Sequence, residues 1–144
     1  IEFAGIYDVK ILIEQGIDAR ELECGVLGNE DVKASCVGEI LPAEEFYSYD
    51  VKYKNDNSRV VIPANITKEE ETKIRHIAVK AFKALDAKGL SRVDFFIDRK
   101  TGEIYLNEIN TMPGFTEISM YPKLWEKSGI GYSELLDKLI NLAM

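Results

Sequence analysis

Residues 91–110 read SRVDFFIDRKTGEIYLNEIN, two runs of strand-forming residues on either side of the turn-forming sequence RKTG. Polar and apolar side chains alternate along both runs, which is the period of a half-buried strand. The segment therefore predicts an antiparallel hairpin. Since alternate side chains of a strand share a face, Arg92 projects with Asp94 from the first strand, and Glu108 projects with Asn110 from the second.

The register of this hairpin decides whether the four polar residues meet. Pairing Asp98 with Ile104 would place Asp94 directly opposite Glu108. Two carboxylates that face each other across a ladder repel unless a positive charge lies between them. A Mg²⁺ ion is typically held by one or two carboxylates together with substrate phosphates, and an arginine beside it suits a phosphoryl group. The hairpin thus predicts a metal-dependent site for phosphoryl transfer.

The alternative is that these polar side chains form the solvated face of an ordinary hairpin, as outward-facing strand residues often do. Phe96, Ile104 and Leu106 are expected on the same face and would half bury it. The second strand also runs directly into the loop TMPGFT at 111–116, which has few large side chains to block a substrate. Both features favour a binding site over a solvated face.

Outside the hairpin the pattern indicates an α+β domain. Thr67 and Glu70 have the spacing of a capping box, and apolar residues then recur at helical spacing towards Gly89. Residues 1–5 resemble the end of an amphipathic helix, so we expect the chain to begin within a larger fold. The other expectations are strands over 10–14, 21–27 and 32–40, a polar loop over 43–64, a short segment over 120–127 and a final helix over 132–143.

Composition argues against several classes of protein. The 144 residues carry a formal net charge of −7 without a long run of either sign, so the electrostatic footprint of a nucleic-acid-binding protein is missing. No apolar stretch is long enough to cross a bilayer and the start does not read as a signal peptide, so we expect a cytoplasmic protein. Cys24 and Cys36 are expected to be small hydrophobic residues in strands, and the single histidine, His76, to be partly exposed on a helix.

Three longer motifs resemble those of the D-alanine:D-alanine ligase family. They are SRVDFF at 91–96, NEINTMPGFT at 107–116 and SMYP at 119–122, and they stand in the family's order together with ARELEC at 19–24, VLGN at 26–29 and KY at 52–53. The resemblance covers essentially the whole chain. It implies an ATP-grasp fold, in which two α+β subdomains clamp ATP between antiparallel sheets, with residues 1–144 forming the C-terminal domain of a longer ligase.

The activity that the resemblance implies is the ATP-dependent joining of two D-alanines through an acyl phosphate, for the synthesis of peptidoglycan precursors. Asp94, Glu108 and Asn110 would hold two Mg²⁺ ions, or Mn²⁺ in their place, with Glu108 shared between them. Arg92 and the backbone at Gly114 would stabilise the charge that develops as the acyl phosphate forms and in the later tetrahedral intermediate.

Further residues match the family's site one by one. The resemblance places Glu14, Gln15 and Ile17 against the adenine, Glu21 on the ribose hydroxyls, Lys52 among the nucleotide-binding residues, and Ser119 and Met120 on the carboxylate of the second amino acid. The family often has lysine where Gln15 stands. The resemblance also implies that the loop around 47–54 closes over the site, where Tyr53 would accompany D-alanine as the second substrate.

The resemblance implies partners as well as residues. Complete ligases carry an N-terminal domain and a central domain before this region, and these supply the lysines on the phosphates and the groups that bind the first D-alanine. This chain alone is therefore expected to be inactive, and the full-length enzyme to be a homodimer that binds neither nucleic acid nor membrane. Three alternative functions remain open. The protein could be a ligase that uses D-serine as the acceptor, an ATP-grasp ligase for a different pair of amino acids, or a noncatalytic module that binds nucleotide or magnesium.

Overall fold

The alternating segments pair into one antiparallel sheet in the computed structural model, which describes residues 1–41 and 59–144. The strands are β1 (Ala19–Gly28), β2 (Lys33–Leu41), β3 (Arg59–Val61), β4 (Gly89–Asp98) and β5 (Ile104–Asn110), in the order β3-β2-β1-β4-β5. The helices are α1 (Lys68–Ala84), α2 (Met120–Lys127) and α3 (Tyr132–Ala143). The predicted α+β class is confirmed. Among the described residues, no helix has the length and apolar character needed to cross a membrane.

Helix α1 covers one face of the sheet. Its Ile74, Ala78 and Phe82 recur every four residues and are fully buried. The predicted capping box is present, since Glu70 N donates to Thr67 Oγ1 at 3.2 Å and Thr67 N donates to Glu70 Oε2 at 2.7 Å. The strand side of this core consists of alternate residues of β1, β2 and β4, namely Leu22, Cys24, Val26, Val37, Val93, Phe95 and Ile97.

Helix α2 lies on the opposite face, and two glycines allow it to approach the sheet closely. A Cβ built on Gly25 would lie 2.9 Å from Trp125 Nε1, and one built on Gly38 would lie 3.0 Å from Leu124 Cδ2. Leu135 of α3 packs with Trp125 in a second, smaller core. The part of this face that α2 leaves open forms a cleft.

An ion pair is buried on the α1 side of the sheet, between β1 and β2. Arg20 Nε and Nη2 donate to the two carboxylate oxygens of Glu39, each at 2.7 Å, and Nη2 also donates to Asn65 O at 2.9 Å. Glu39 is only 5% exposed, and both of its oxygens are satisfied. This fork-to-fork geometry makes the pair a structural element of that face.

The β4–β5 ladder contains one extra residue. The predicted pairing of Asp98 with Ile104 is wrong by one residue, because Ile97 takes that place. A β-bulge at Asn107 then absorbs the difference, so the two carboxylates that were predicted to face each other do so. The register at the site end of the hairpin is therefore the predicted one, although the register at its turn is not.

The bulge also changes which side chains flank the polar residues. Ile104 packs into the α1 core, and Leu106 lies opposite Phe95, which is buried in that core. The prediction that Ile104 and Leu106 share the polar face is therefore wrong. Phe96 does lie on that face, where it lines the cleft.

Three further predictions differ from the structure. Residues 10–14 form no strand, and Leu12 and Ile13 are 82% and 71% exposed, because no strand of the described residues pairs with this apolar run. Strand β3 falls inside the predicted loop at 43–64, since three residues are too few to show alternation. Helix α1 ends at Ala84, before Gly89, where Asp86 adopts a left-handed φ of 50°.

The cysteines and the histidine lie away from the cleft. Cys24 is buried and Cys36 half-buried, and both are free thiols. Burial raises the pKa of Cys24 to about 12, which fits its predicted role as a small hydrophobic residue. His76 is exposed on α1. Residues 4–6 form a 3-10 turn with no buried residue, in place of the expected helix end.

Candidate active site

The cleft lies on the α2 side of the sheet and has a volume of about 330 Å³. Its floor is made by the side chains of β1, β4 and β5 that point away from the α1 core, and Ile40 of β2 forms part of its wall. The lining side chains include Glu21, Glu23, Ile40, Arg92, Asp94, Phe96, Asn107 and Glu108. Asn107 and Glu108 are consecutive residues, yet both line the cleft. The β-bulge at Asn107 explains this, because a bulge changes the direction in which one side chain of a strand points.

A hydrogen-bonded network joins the four polar residues singled out in the hairpin. Asp94 lies opposite Glu108, and Arg92 lies opposite Asn110. Arg92 Nε and Nη2 donate to Asp94 Oδ1 and Oδ2, both at 2.7 Å. Asn110 Nδ2 donates to Glu108 Oε1 at 2.9 Å and to Asp94 Oδ2 at 3.2 Å. The structure therefore brings all four together on one face of the sheet.

A fifth polar residue, Glu23, belongs to this cluster and was missed in the sequence. It lies opposite Asp94 on the neighbouring strand β1, is 5% exposed, and its Oε2 is 3.0 Å from Arg92 Nε. The pKa of Glu23 is raised to about 7, chiefly by burial and to a lesser extent by Asp94, Glu21 and Glu108, while Arg92 acts to lower it. The signal was available, because Glu21 and Glu23 alternate with the buried Leu22.

Acidic groups outnumber basic ones in the cleft. Four carboxyl groups, those of Glu21, Glu23, Asp94 and Glu108, surround the guanidinium of Arg92. Within residues 1–41 and 59–144, no three His, Cys, Asp or Glu side chains are grouped closely enough to hold an ion as they stand. The chemistry of the donors nevertheless fits a hard divalent cation, since they are oxygens and carry an excess of negative charge.

The N-terminus of α2 lies beside the loop that follows β5. Ser119 is the residue before the first turn, and its hydroxyl oxygen accepts a hydrogen bond from Thr116 N at 3.0 Å and makes none to the helix. A Cβ on Gly114 would lie 3.1 Å from Ser119 Oγ, so the two are in close proximity. Met120 is buried and lies within 3.2 Å of a Cβ built on Gly38, which leaves its backbone as the part able to meet a ligand.

The other residues matched to the family are distributed differently. Glu21 lines the cleft, but Glu14, Gln15 and Ile17 precede β1 and are not among the lining residues. Lys52 and Tyr53, with most of the loop at 43–64, lie outside the described residues. The structure thus gathers the metal and arginine positions, places Ser119 beside Gly114, and leaves the adenine positions apart from the cleft.

Comparison with known proteins identifies the family. The family model described as the D-ala D-ala ligase C-terminus matches residues 1–141. The chain belongs to this family. It is 60% identical over 142 residues to the D-alanine–D-alanine ligase of Acetivibrio thermocellus, a match that covers 99% of this chain and 38% of that protein.

Solved structures agree with this membership of the D-ala D-ala ligase C-terminus family. The VanG D-Ala:D-Ser ligase from Enterococcus faecalis superposes with a TM-score of 0.83 at 40% identity, covering 99% of this chain and 41% of that one. The D-alanine–D-alanine ligase from Bacillus anthracis, solved in complex with ATP, gives a TM-score of 0.73 at 28% identity, covering 90% of this chain and 40% of that one. The predicted ATP-grasp class is confirmed, and the chain spans about two fifths of these relatives.

Proposed function

We propose that this chain is the catalytic C-terminal portion of a ligase that uses ATP to join two D-alanines, a reaction that supplies peptidoglycan precursors. One observation carries the proposal. In a chain of this family, Asp94 and Glu108 face each other across a ladder at the floor of a cleft, with Asn110 hydrogen-bonded to both and Arg92 hydrogen-bonded to Asp94. Such a cluster suits the binding and transfer of a phosphoryl group.

The acidic cluster would hold the metal. Asp94, Glu108 and Asn110 would bind two Mg²⁺ ions, or Mn²⁺, with Glu108 shared, and the bound ions would neutralise the nucleotide phosphates. Arg92 is bound to Asp94 through both of its oxygens, so Arg92 would leave Asp94 when that residue acts as a ligand. Its guanidinium would then present donors to the γ-phosphoryl group, where negative charge is concentrated.

The reaction that the family resemblance implies would take two covalent steps. The carboxylate of the first D-alanine would attack the γ-phosphorus, the bond to ADP would break, and an acyl phosphate would form. The amine of the second D-alanine would then attack the acyl carbon, the C–O bond to phosphate would break, and the proton lost by the amine would leave with the inorganic phosphate. Arg92 and the backbone N–H at Gly114 would stabilise the oxygen on which charge develops.

The second amino acid would bind at the start of α2. The first backbone N–H groups of the helix, including that of Met120, are not capped by the Ser119 side chain and would be donors. The Ser119 hydroxyl, which lies 2.9 Å from Thr116 Oγ1, would be a further donor. A helix N-terminus also favours an anion, so the carboxylate of the acceptor fits here. Gly114 lies next to Ser119, which would bring the acceptor close to the reacting carbonyl.

The nucleotide and the closing loop would occupy the remaining matched positions. Glu21 lines the cleft and would accept hydrogen bonds from the ribose hydroxyls. Glu14, Gln15 and Ile17 would face the adenine. Lys52 would contact the nucleotide, and Tyr53 would accompany D-alanine as acceptor, from a loop that excludes water from the acyl phosphate.

The test uses the polypeptide in which this chain naturally occurs. Release of ADP should depend on D-alanine, and Asp94→Asn and Glu108→Gln should each lower kcat by at least about 100-fold. Glu103→Gln is the matched control, because Glu103 is exposed on the hairpin and its carboxylate accepts a hydrogen bond from the Tyr105 hydroxyl, outside the cluster. Titration of a nonhydrolysable ATP analogue with Mg²⁺ should show weaker binding in both cluster variants.

Each result separates the alternatives. Nucleotide binding without D-alanine-dependent turnover would favour a noncatalytic module. The likeness to VanG supports D-serine as a second candidate acceptor. A higher kcat/KM for D-serine than for D-alanine, measured in competition, would assign that substrate. Full activity in both cluster variants would reject the metal assignment.

A further inference from the structure

Glu23 is the most deeply buried carboxyl group in the cleft, and the ligand set proposed above leaves it without a role. Its nearest cation is Arg92, whose Nε lies 3.0 Å from Glu23 Oε2. This Oε2 is nevertheless buried, and no donor within residues 1–41 and 59–144 makes a hydrogen bond to it. A buried charged acceptor that lacks a hydrogen bond costs free energy, so the arrangement calls for an explanation.

The geometry of Arg92 supplies the reason. Its Nε carries a single hydrogen, and that hydrogen is directed to Asp94 Oδ1 at 2.7 Å. Glu23 therefore lies within bonding distance of the nitrogen but off the axis of the N–H bond. The two carboxylates approach the same donor from adjacent strands, since Glu23 and Asp94 are directly opposite each other in the β1–β4 ladder.

Glu39 shows how a buried carboxylate looks when its role is structural. It has the same 5% exposure and lies on β2, but both of its oxygens accept hydrogen bonds from Arg20 at 2.7 Å. Glu39 is satisfied as it stands. Glu23 Oε2 would accept a hydrogen bond from Arg92 Nε if Arg92 turned this N–H away from Asp94.

We infer that Glu23 is a positioning residue that holds Arg92 in the cleft when Asp94 is engaged elsewhere. The inference rests on the function proposed above, in which Asp94 becomes a ligand of the metal. The Nε–H of Arg92 then passes to Glu23 Oε2, and Nη2, released from Asp94, is free to donate to a phosphoryl oxygen. Without Glu23 the guanidinium would be free to turn into solvent, where its long side chain gains rotamer entropy.

A double-mutant cycle on the naturally occurring polypeptide tests this role. Glu23→Leu removes the acceptor at similar volume, and Arg92→Lys keeps the charge but lacks the Nε–H group. In the parent, Glu23→Leu should lower kcat about 10-fold or more while the KM for D-alanine stays within about twofold. In the Arg92→Lys background the same change should cost less than about twofold. Glu23→Gln, which keeps an acceptor oxygen, should retain most of the activity.

A second readout does not depend on turnover. The affinity of the same four proteins for a nonhydrolysable ATP analogue with Mg²⁺ should fall on Glu23→Leu only where Arg92 is present. A parent without D-alanine-dependent ADP release would reject the proposed function, and this binding cycle would still decide the role of Glu23. Equal losses in both backgrounds, by either readout, would overturn the inference.

Two controls exclude simpler roles. The affinity for Mg²⁺ alone should be unchanged within about twofold by Glu23→Leu, and a larger loss would make Glu23 a metal ligand and overturn the inference. Glu39→Gln breaks a carboxylate pair of equal burial on the other face, so it should lower the unfolding temperature without lowering kcat. If Glu23→Leu and Glu39→Gln both lowered kcat in proportion to the fall in unfolding temperature, the role of Glu23 would be structural and the inference would be wrong.

Discussion

Gly25 lies under Trp125 so closely that a Cβ on the glycine would be 2.9 Å from the indole Nε1. The same Cβ would also lie 3.3 Å from Tyr121 Cδ2, and both rings are buried. Gly25→Ala should therefore force α2 away from the sheet and destabilise the fold by about 1–3 kcal/mol, the usual cost of overpacking. Chemical denaturation followed by tryptophan fluorescence measures this change.

The matched control for this prediction is Gly16→Ala. Among the residues that the structure describes, none other than the two chain neighbours has an atom within 4 Å of a Cβ at Gly16, so this substitution should change the free energy of unfolding by less than about 0.5 kcal/mol. Equal effects of Gly25→Ala and Gly16→Ala on the free energy of unfolding would show that close packing at Gly25 does not determine the distance between α2 and the sheet.

The capping box at the start of α1 gives a second prediction. Thr67→Ala removes the oxygen that accepts from Glu70 N, and a lost N-cap costs about 1 kcal/mol. Thr72→Ala, on the same helix, removes an exposed methyl group and a hydroxyl that donates to Lys68 O, and it should change stability by less than about 0.5 kcal/mol. Thermal unfolding by circular dichroism compares the two, and a larger loss in the Thr72 variant would contradict the assignment of the cap.

The burial of Glu23 predicts a dependence of stability on pH in protein freed of divalent cations with a chelator. The pKa of Glu23 rises from 4.5 to about 7 on folding, so the folded state keeps this proton while the unfolded state loses it. The contribution of Glu23 to stability should therefore fall as pH rises from 4.5 to about 7, with its full penalty present above pH 7. Glu23→Gln removes this penalty, so its stability relative to the parent should increase over that range. Denaturation at pH 5 and pH 8 would contradict this if the difference between the two proteins were the same at both.

The start of α2 predicts a selective effect on the acceptor substrate. Ser119→Ala removes a hydroxyl proposed to bond a carboxylate, and a hydrogen bond to a charged group is worth about 1.5–3 kcal/mol. The KM for the second D-alanine should therefore rise about 10-fold or more, with a smaller change in the KM for ATP. Ser133→Ala, exposed in the first turn of α3, is the control and should leave both constants unchanged. An equal rise in both KM values would argue against the carboxylate assignment.

Local signals were enough to predict most elements of this fold. Periodicity and short-range hydrogen bonds can be inferred from neighbouring residues. They determine the hairpin strands, the capping box at Thr67 and the helix over 132–143. Elements that depend on a partner were not predictable in the same way. The apolar run at 10–14 looked like a strand because periodicity does not reveal whether a neighbouring strand exists.

The part of the site that lies on the β4–β5 hairpin was predictable from the sequence. The part that comes from the neighbouring strand β1 was not. Asp94 and Glu108 come from the adjacent strands of one hairpin, so alternation and the pairing at its site end predicted that they meet, although the bulge at Asn107 that produces this pairing was not predicted. Glu23 reaches the same place only because β1, which ends at Gly28, lies beside β4, which begins at Gly89. Strand order is a tertiary property, and alternation alone leaves it open.

The bulge at Asn107 separates the turn of the hairpin from its functional end. The register of β4 and β5 near the turn differs by one residue from their register at the carboxylates. The unpaired residue Asn107 accounts for this difference. We therefore expect a change of one residue in the turn at 99–103 to be absorbed by a change in the bulge. Asp94 and Glu108 would then stay opposite each other. Among homologous chains, single-residue insertions and deletions should accordingly accumulate in this turn without loss of activity, so alignment gaps there carry little information about function.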